Sequence, residues 1–157
     1  MKVRVTRLSL FVIACLWIGC GGRLPNDLGV SAGRLADCPS SPNCVSSFAE
    51  DELHGIEPLD LRVGPEQGWV ALREVVAETP RVEIVLDSAS HLHAVYTSRL
   101  MRYRDDVEFL LDSDRGVIEV RSASRVGYGD MGVNRERVEA IRASLAARGV
   151  VRAATGE

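Results

Sequence analysis

Residues 105–126 read D-D-V-E-F-L-L-D-S-D-R-G-V-I-E-V-R-S-A-S-R-V and decide the fold of the 157-residue chain. Apolar and polar residues alternate on both sides of S-D-R-G at 113–116, which is typical of two strands joined by a four-residue hairpin loop. This loop pairs Asp112 with Val117. The pairing places the apolar residues of both strands on one face: Val107, Phe109, Leu111, Ile118 and Val120. A slip of one residue would divide this set between two faces, so the pattern fixes the register.

Two further segments that alternate with a period of two precede the hairpin, at 81–87 and 91–100. With 105–112 and 117–126 they predict a four-stranded antiparallel meander. The core-facing residues expected in the first two strands are Val82, Ile84, Leu86, Leu92, Ala94, Tyr96 and Leu100.

Helices are predicted on both sides of the meander. The first begins at Gly64-Pro65 and ends at Pro80, and the second begins at Asn134 as its N-cap. The predicted fold is α+β: helix, four-stranded antiparallel sheet and C-terminal helix, with the helices covering one face of the sheet.

The other face of this sheet is predicted to be polar and solvated. Glu108 lies directly across from Arg121 there, a favourable cross-strand pair. His91 and His93 have a spacing that can place two imidazoles near one cation, but ordinary turn polarity explains His91, and no metal is predicted. The residues expected on this face are Glu83, His91, His93, Thr97, Arg99, Asp106, Glu108, Glu119, Arg121 and Arg125.

The N-terminus has the pattern of a bacterial lipoprotein signal. A basic segment at 1–7 precedes twelve mostly apolar residues at 8–19, too few to span a bilayer as a helix, and a cysteine follows. We expect lipidation at Cys20. The alternative is Cys15, whose preceding residues match a lipobox better but leave a shorter apolar segment. The predicted organisation is a signal peptide at 1–19, a flexible tether at 20–36, one α+β domain at 37–150 and a disordered tail at 151–157.

Cys38 and Cys44 enclose a segment rich in proline and serine, which predicts a turn and neither helix nor strand. In an exported protein two nearby thiols usually form a disulfide, the reading that we favour. The alternatives are reduced or regulatory thiols, and a metal site that includes His54, although a structural zinc site needs more ligands than these.

Composition excludes two classes of function. The only lysine is Lys2, so the body of the protein has no amine for Schiff-base chemistry. The chain carries a net charge of −3, and the part after residue 19 is more acidic still. We therefore expect no binding to nucleic acid.

The segment 121–137 contains G-x-G-x-x-G at 127–132, but the chain ends too soon afterwards for a dinucleotide-binding fold. These glycines are expected to serve turns with positive φ. Arg121, Arg125 and Arg135 are predicted to converge at the start of the second helix as an anion site. The partners expected for Arg125 are Asp105, Asp106, Asp130 or an external anion.

Four motifs carry a family resemblance: C-P-S-S-P-N-C-V-S-S from 38, H-G-I-E-P-L from 54, Y-R-D-D-V-E-F from 103 and V-R-S-A-S-R-V-G-Y-G-D-M-G-V-N-R-E-R-V-E from 120. Over residues 37–148 the chain resembles the domain of unknown function family 1499, mostly bacterial envelope proteins and lipoproteins with relatives in plastids. The resemblance implies an envelope location and no particular activity. Where this chain has Gly129, the family usually has serine. Matching positions include Cys38, Asn43, Cys44, His54, Asp105, Asp106, Glu108, Arg121, Ser122, Ser124, Arg125, Asp130, Asn134, Arg135 and Arg137.

Two functions are compatible with these observations. The first is a non-catalytic module, lipid-anchored and facing the periplasm, that binds a small anionic ligand or an envelope protein. The second is a small hydrolase-like enzyme that uses Asp106 and Glu108 with His93 or His54. No cofactor is predicted, and the missing G-x-S-x-G nucleophile motif favours the first function. The candidate residues are His54, His93, Asp105, Asp106, Glu108, Arg121, Arg125, Asp130, Asn134 and Arg135.

The mature protein should lack residues 1–19 and carry a lipid on Cys20. Since Gly21 rather than aspartate follows the cysteine, the outer membrane is the expected destination in a host with two membranes. The intact mass of protein extracted from membranes tests the site. An unmodified Met1, or a mass that places the lipid on Cys15, would refute it.

Overall fold

The computed structural model describes residues 23–153, so Cys15, Cys20 and the predicted signal peptide lie outside the described residues. The fold is α+β, with two helices and a six-stranded antiparallel sheet. No helix in 23–153 has both the length and the apolar character needed to cross a membrane. In chain order the elements are β1 (Cys44–Ser46), β2 (Leu59–Asp60), α1 (Pro65–Glu78), β3 (Val82–Asp87), β4 (His91–Thr97), β5 (Arg104–Asp112), β6 (Val117–Ser124) and α2 (Val133–Ala147).

The register predicted for the central hairpin is confirmed. Asp112 pairs with Val117, Phe109 with Val120 and Glu108 with Arg121. The strand order is β1-β6-β5-β4-β3, and β2 also pairs with β6. β1 and β2 were not predicted. Residues 39–43 between the two cysteines form neither helix nor strand, as expected, but a short strand begins at Cys44. Val45 of β1 packs in the core while its backbone pairs with β6.

Both helices pack on the apolar face of the sheet. α1 begins at Pro65 after Gly64, as predicted. The N-cap of α2 lies two residues earlier than predicted, at Gly132, in a left-handed conformation (φ 83°) that favours glycine. Asn134 is therefore not the cap. The buried side chains that the helices contribute are Trp69, Leu72, Val75, Val76, Val138, Ile141 and Leu145.

The outer part of the predicted sheet differs from expectation at two places. β3 is an edge strand with an irregularity between Ile84 and Leu86, so that Leu86 pairs with His93. A bulge of this kind breaks the alternation, and Ile84 and Leu86 are exposed, not in the core. Strand β4 ends at Thr97, and Leu100 lies in the following loop with 86% of its surface exposed.

The polar face of the sheet is covered over β5 and β6 and is not solvated there as predicted, whereas Glu83 and Arg99 of the predicted face are exposed. The backbone N–H of Gly29 donates to Glu108, Asp27 pairs with Arg121, and Leu35 is buried. We call residues 27–37 the covering segment. Residues 27–36 belong to the stretch that was expected to be a tether, and they differ from that expectation because ionised groups on the sheet bind them. At the other end, Val151 is buried and bridges to Leu61, so the domain extends past residue 150.

The predicted disulfide between Cys38 and Cys44 is present in the structure. It ties the end of the covering segment to β1 and hence to β6. Replacing both cysteines with serine should lower the free energy of unfolding by about 2 kcal/mol, because the closed loop is short. Urea unfolding measures this, and reductant should destabilise the wild type but leave the double variant unchanged. Two reactive thiols at these positions in the denatured, unreduced protein would contradict the assignment.

Candidate functional site

The ten candidate residues do not form one site. The structure divides them among three locations: the polar face of the sheet, the face covered by the helices, and the loop around residues 51–55. On the polar face are His93, Asp106, Glu108, Arg121 and Arg125; on the helix side are Asp105, Asp130 and Asn134; at the loop are His54 and Arg135.

Asp106 is the centre of the polar face and is 1% exposed. Arg125 donates to both its oxygens, from Nε at 2.8 Å and from Nη2 at 2.7 Å, and His93 Nε2 lies 2.8 Å from Oδ1. Burial acts to raise the pKa of Asp106, but the hydrogen bonds from Arg125 and His93 outweigh it and lower the pKa. The carboxylate therefore stays ionised, which does not suit a general acid.

Glu108 is the second carboxylate of this face and is fully buried. Its Oε1 accepts from the Gly29 N–H at 2.6 Å and lies 3.2 Å from His91 Nε2. Its Oε2 is 3.7 Å from Arg121 Nη1, within ion-pair range but too far for a hydrogen bond. Arg121 also pairs with Asp27 of the covering segment at 3.2 Å. Partners on the sheet and the covering segment thus surround Glu108.

Asn134 joins three elements on the helix side. Its Oδ1 accepts from Ser122 Oγ and from Arg137 Nη1, both at 2.6 Å. Its Nδ2 donates to the carbonyl of Asn43, whose own Nδ2 donates to the Gly127 carbonyl at 2.8 Å. Asn43, Ser122 and Arg137 were not among the candidates, although all three match the family motifs. Their polar network fixes the start of α2 to the ends of β1 and β6.

The anion site predicted at the start of α2 is not formed. The carboxylate of Asp130 already accepts from the backbone N–H groups of Gly132 and Asn134, both at 2.9 Å. Burial acts to raise the pKa of Asp130, but these bonds outweigh it and lower the pKa. The carboxylate of Asp130 thus occupies the position at the N-terminus of α2 where an anion from solution was expected to bind.

The three arginines expected at that site point to different partners. Arg121 and Arg125 bind carboxylates on the polar face, whereas Arg135 donates to the backbone carbonyls of Gly55 at 2.7 Å and Leu53 at 3.1 Å. Arg135 therefore holds the loop around residues 53–55 in place, and it does not form a common site with Arg121 and Arg125.

His54 does not join the carboxylates of the proposed hydrolase. Its Nδ1 lies 2.9 Å from Asp51 and its Nε2 lies 3.3 Å from the Ser41 carbonyl. Among residues 23–153, no group of three histidine, cysteine or acidic side chains is arranged to hold a metal ion. Of the glycines at 127–132, Gly127 and Gly132 have positive φ.

A cleft of about 570 Å³ lies between the end of α1, the end of β4 and the side of α2 that carries Arg137 and Ile141. This volume is within the range of small-molecule sites. Neither Asp106 nor Glu108 lines it. Its walls combine apolar, hydroxyl and charged side chains: Val75, Glu78, Thr79, Pro80, Arg81, Tyr96, Thr97, Ser98, Asp105, Val133, Arg137, Ala140, Ile141, Ser144 and Arg148.

Tyr96 and Arg137 form the polar part of the inner wall. The guanidinium carbon of Arg137 lies 4.7 Å from the centroid of the Tyr96 ring, and its Nη2 is 2.5 Å from Asp105 Oδ2. Tyr96 is 6% exposed, and burial raises its pKa. The Thr79 hydroxyl lies near the Tyr96 hydroxyl and donates to the Val75 carbonyl, but no group in residues 23–153 meets hydrogen-bond geometry with the Tyr96 hydroxyl.

Asp106→Asn should lower the free energy of unfolding by about 3–5 kcal/mol near neutral pH, because it leaves the buried Arg125 without its anion. Because the pKa of Asp106 is lower in the folded protein than its ordinary value of 3.8, the ionised carboxylate stabilises the fold fully at pH values above 3.8. This stabilisation is lost as the pH falls through the pKa of Asp106 in the folded protein. The difference between wild type and variant should therefore narrow in acid. Urea unfolding across the pH range measures it.

Asp114→Asn is the matched control, because Asp114 is exposed in the β5–β6 loop. It should change stability by no more than about 0.5 kcal/mol. A difference between wild type and Asp106→Asn that widens as the pH falls would contradict the interpretation.

The comparisons with known proteins give one match. The family model described as "Protein of unknown function (DUF1499)" matches residues 34–145, in agreement with the resemblance drawn from the motifs. No curated protein and no solved structure matches the chain. The matched residues include both strands that carry the buried ion pairs, the disulfide and nearly all of α2. The chain belongs to DUF1499, a family of proteins of unknown function.

Proposed function

We propose that this protein is a non-catalytic binding module of the cell envelope. A lipid on Cys20 holds it at a membrane, facing the periplasm, and the cleft between α1, β4 and α2 takes a small ligand with an apolar body and one anionic group. The burial and pairing of Asp106 and Glu108 carry this proposal, because these were the carboxylates on which an enzymatic function depended.

A hydrolase needs its acid or base within reach of a substrate. Asp106 and Glu108 are 1% and 0% exposed, and Arg125, His93, Gly29 and Arg121 surround them. A lowered pKa at Asp106 is the opposite of what a general acid requires. These contacts favour a structural role for the two carboxylates, and we place the ligand in the cleft between α1, β4 and α2 because of the charges and side chains that line it.

The charges around the cleft favour an anion. Arg137 is paired with Asp105, and Arg148 is paired with Glu74 and Glu78. Arg81 differs from both: its Nε donates to the Thr97 carbonyl at 3.2 Å, and no carboxylate in residues 23–153 lies within ion-pair distance of it. Arg81 is exposed and can bind a carboxylate or phosphate group of a ligand.

The inner wall favours an apolar ligand body with a polar atom. Val75 and Ile141 are buried core residues that also line the cleft. The Tyr96 hydroxyl has a hydrogen-bond capacity that residues 23–153 leave unused. Buried polar groups are normally hydrogen-bonded, so a ligand acceptor or a water molecule at this hydroxyl would complete the site.

The envelope location rests on the sequence. The N-terminal pattern is that of an exported lipoprotein, and the disulfide between Cys38 and Cys44 is of the kind that persists in oxidising compartments.

Detergent-solubilised full-length protein should bind 2-naphthoate about tenfold more tightly than the neutral 2-naphthamide, a difference of about 1.4 kcal/mol. Arg81→Gln should remove this preference, and Tyr96→Phe should weaken binding of both compounds. Isothermal titration calorimetry measures the affinities, and native mass spectrometry of protein extracted from its own envelope searches for the natural ligand.

Arg62→Gln is the control for charge, because Arg62 is exposed beside Val150 and does not line the cleft. It should keep the preference for naphthoate. If the Arg81→Gln protein prefers 2-naphthoate over 2-naphthamide as strongly as the wild type does, Arg81 does not bind the anionic group of the ligand.

A further inference from the structure

Two loops at one end of the sheet expose an unusual number of apolar side chains. Seven of the 14 large apolar side chains that are exposed in residues 23–153 lie in the loops at 98–103 and 125–132 or at Val133, the first residue of α2. They are Leu100, Met101, Tyr103, Val126, Tyr128, Met131 and Val133. Single exposed apolar residues need no explanation, but a concentration at one end of a domain marks an interaction surface.

The two loops leave the sheet side by side. Asp105 pairs with Ser124, and the backbone N–H of Arg125 donates to the Arg104 carbonyl at 3.0 Å. The loop that precedes Arg104 and the loop that follows Arg125 therefore begin at neighbouring positions. We call the seven side chains, together with Arg99, Arg102 and Arg104, the loop face.

The charge of the loop face is positive although the whole chain is acidic. Arg99, Arg102 and Arg104 are exposed, and no carboxylate in residues 23–153 lies within ion-pair distance of them. The carboxylate of Asp130, the acid in the second loop, is bound by the start of α2. Elsewhere in this part of the chain most arginines have an acidic partner: Arg34, Arg73, Arg115, Arg121, Arg125, Arg137, Arg142, Arg148 and Arg152.

Met131 shows that the loop face is not organised by packing within the domain. Its side chain is 98% exposed, and its backbone has a φ of 56° in the left-handed region. Arg102 has a similar φ of 58°. This conformation is uncommon for residues with long side chains and costs free energy. A side chain that is 98% exposed buries too little surface inside the domain to offset that cost.

We propose that the loop face docks on a membrane surface that contains anionic lipids. Leucine and methionine at loop tips can enter the boundary between headgroups and acyl chains, and tyrosine is enriched at that depth. Arginine can keep its guanidinium among anionic headgroups while its stem remains in the apolar layer. The proposal goes beyond the ligand cleft and takes from the proposed function only that the protein is held at a membrane.

The two methionines of the loop face are natural probes, because the chain has only one other, Met1, in the predicted signal peptide. Full-length protein is reconstituted on phosphatidylcholine vesicles with or without phosphatidylglycerol and treated with chloramine-T. Val70→Met adds a reference methionine on α1, next to Trp69, whose indole donates to Ser88 at the opposite end of the sheet. Peptide mass spectrometry gives the oxidation rate at each position.

With phosphatidylglycerol present, oxidation of Met101 and Met131 should slow about fivefold relative to the reference methionine at position 70. The anionic vesicle surface also repels the anionic oxidant, and the rate at the reference methionine corrects for this effect. The combined replacement of Arg99, Arg102 and Arg104 by glutamine should abolish this protection. Arg62→Gln, at the other end of the sheet, should not. Oxidation of both methionines at the reference rate would overturn the proposal, and so would protection that survives the triple replacement.

Failure of the anchor gives a different result. If the protein does not float with pure phosphatidylcholine vesicles, the lipid anchor of the proposed function is wrong. Methionine protection on vesicles with phosphatidylglycerol would still support the loop face, and its absence would still refute it.

Discussion

Two buried carboxylates on β5 pair with the buried guanidinium groups of Arg121 on β6 and Arg125 directly after β6, and the rest of the polar face depends on this pairing. Ionised groups out of water are destabilising unless each has a close partner of opposite charge and further hydrogen bonds. Asp106 meets this condition within the sheet, through Arg125 and His93. Glu108 and Arg121 do not, since their closest approach is 3.7 Å. They need Gly29 and Asp27, and the covering segment is therefore part of the domain.

This dependence explains the position of the disulfide. Cys38 directly follows the covering segment, and Cys44 begins β1, the strand beside β6. The bond restricts where the segment can cross the sheet, and few apolar contacts are available to do so, because Leu35 is the buried apolar residue within it. On the opposite face, Asn43 and Asn134 perform a comparable task with hydrogen bonds. They connect the residue before β1 to the start of α2.

The parts of the fold that local sequence specifies could be predicted. The hairpin register followed from alternation and loop length, and it also placed Glu108 opposite Arg121. β1 and β2 could not be predicted, because strands of three and two residues show no period. The covering segment was missed for a different reason: Gly29 and Glu108 are 79 positions apart, and the sequence does not show that a backbone N–H of this segment, or the carboxylate of Asp27, meets the sheet. Arg135 was misassigned because backbone carbonyls, which no sequence pattern reveals, bind it.

The ligand cleft and the loop face are adjacent in the chain and in space. Ser98 lines the cleft and directly precedes Arg99, while Val133 belongs to both surfaces. If the loop face lies on a bilayer, the cleft opens close to the headgroup layer. A ligand with an apolar body and one anionic group is an amphiphile, and amphiphiles concentrate in that layer. Such a ligand could pass from the bilayer to Arg81 and Tyr96 with little exposure of its apolar part to water. The two proposals therefore fit one arrangement, in which a small anchored domain takes up a molecule from the membrane on which it rests.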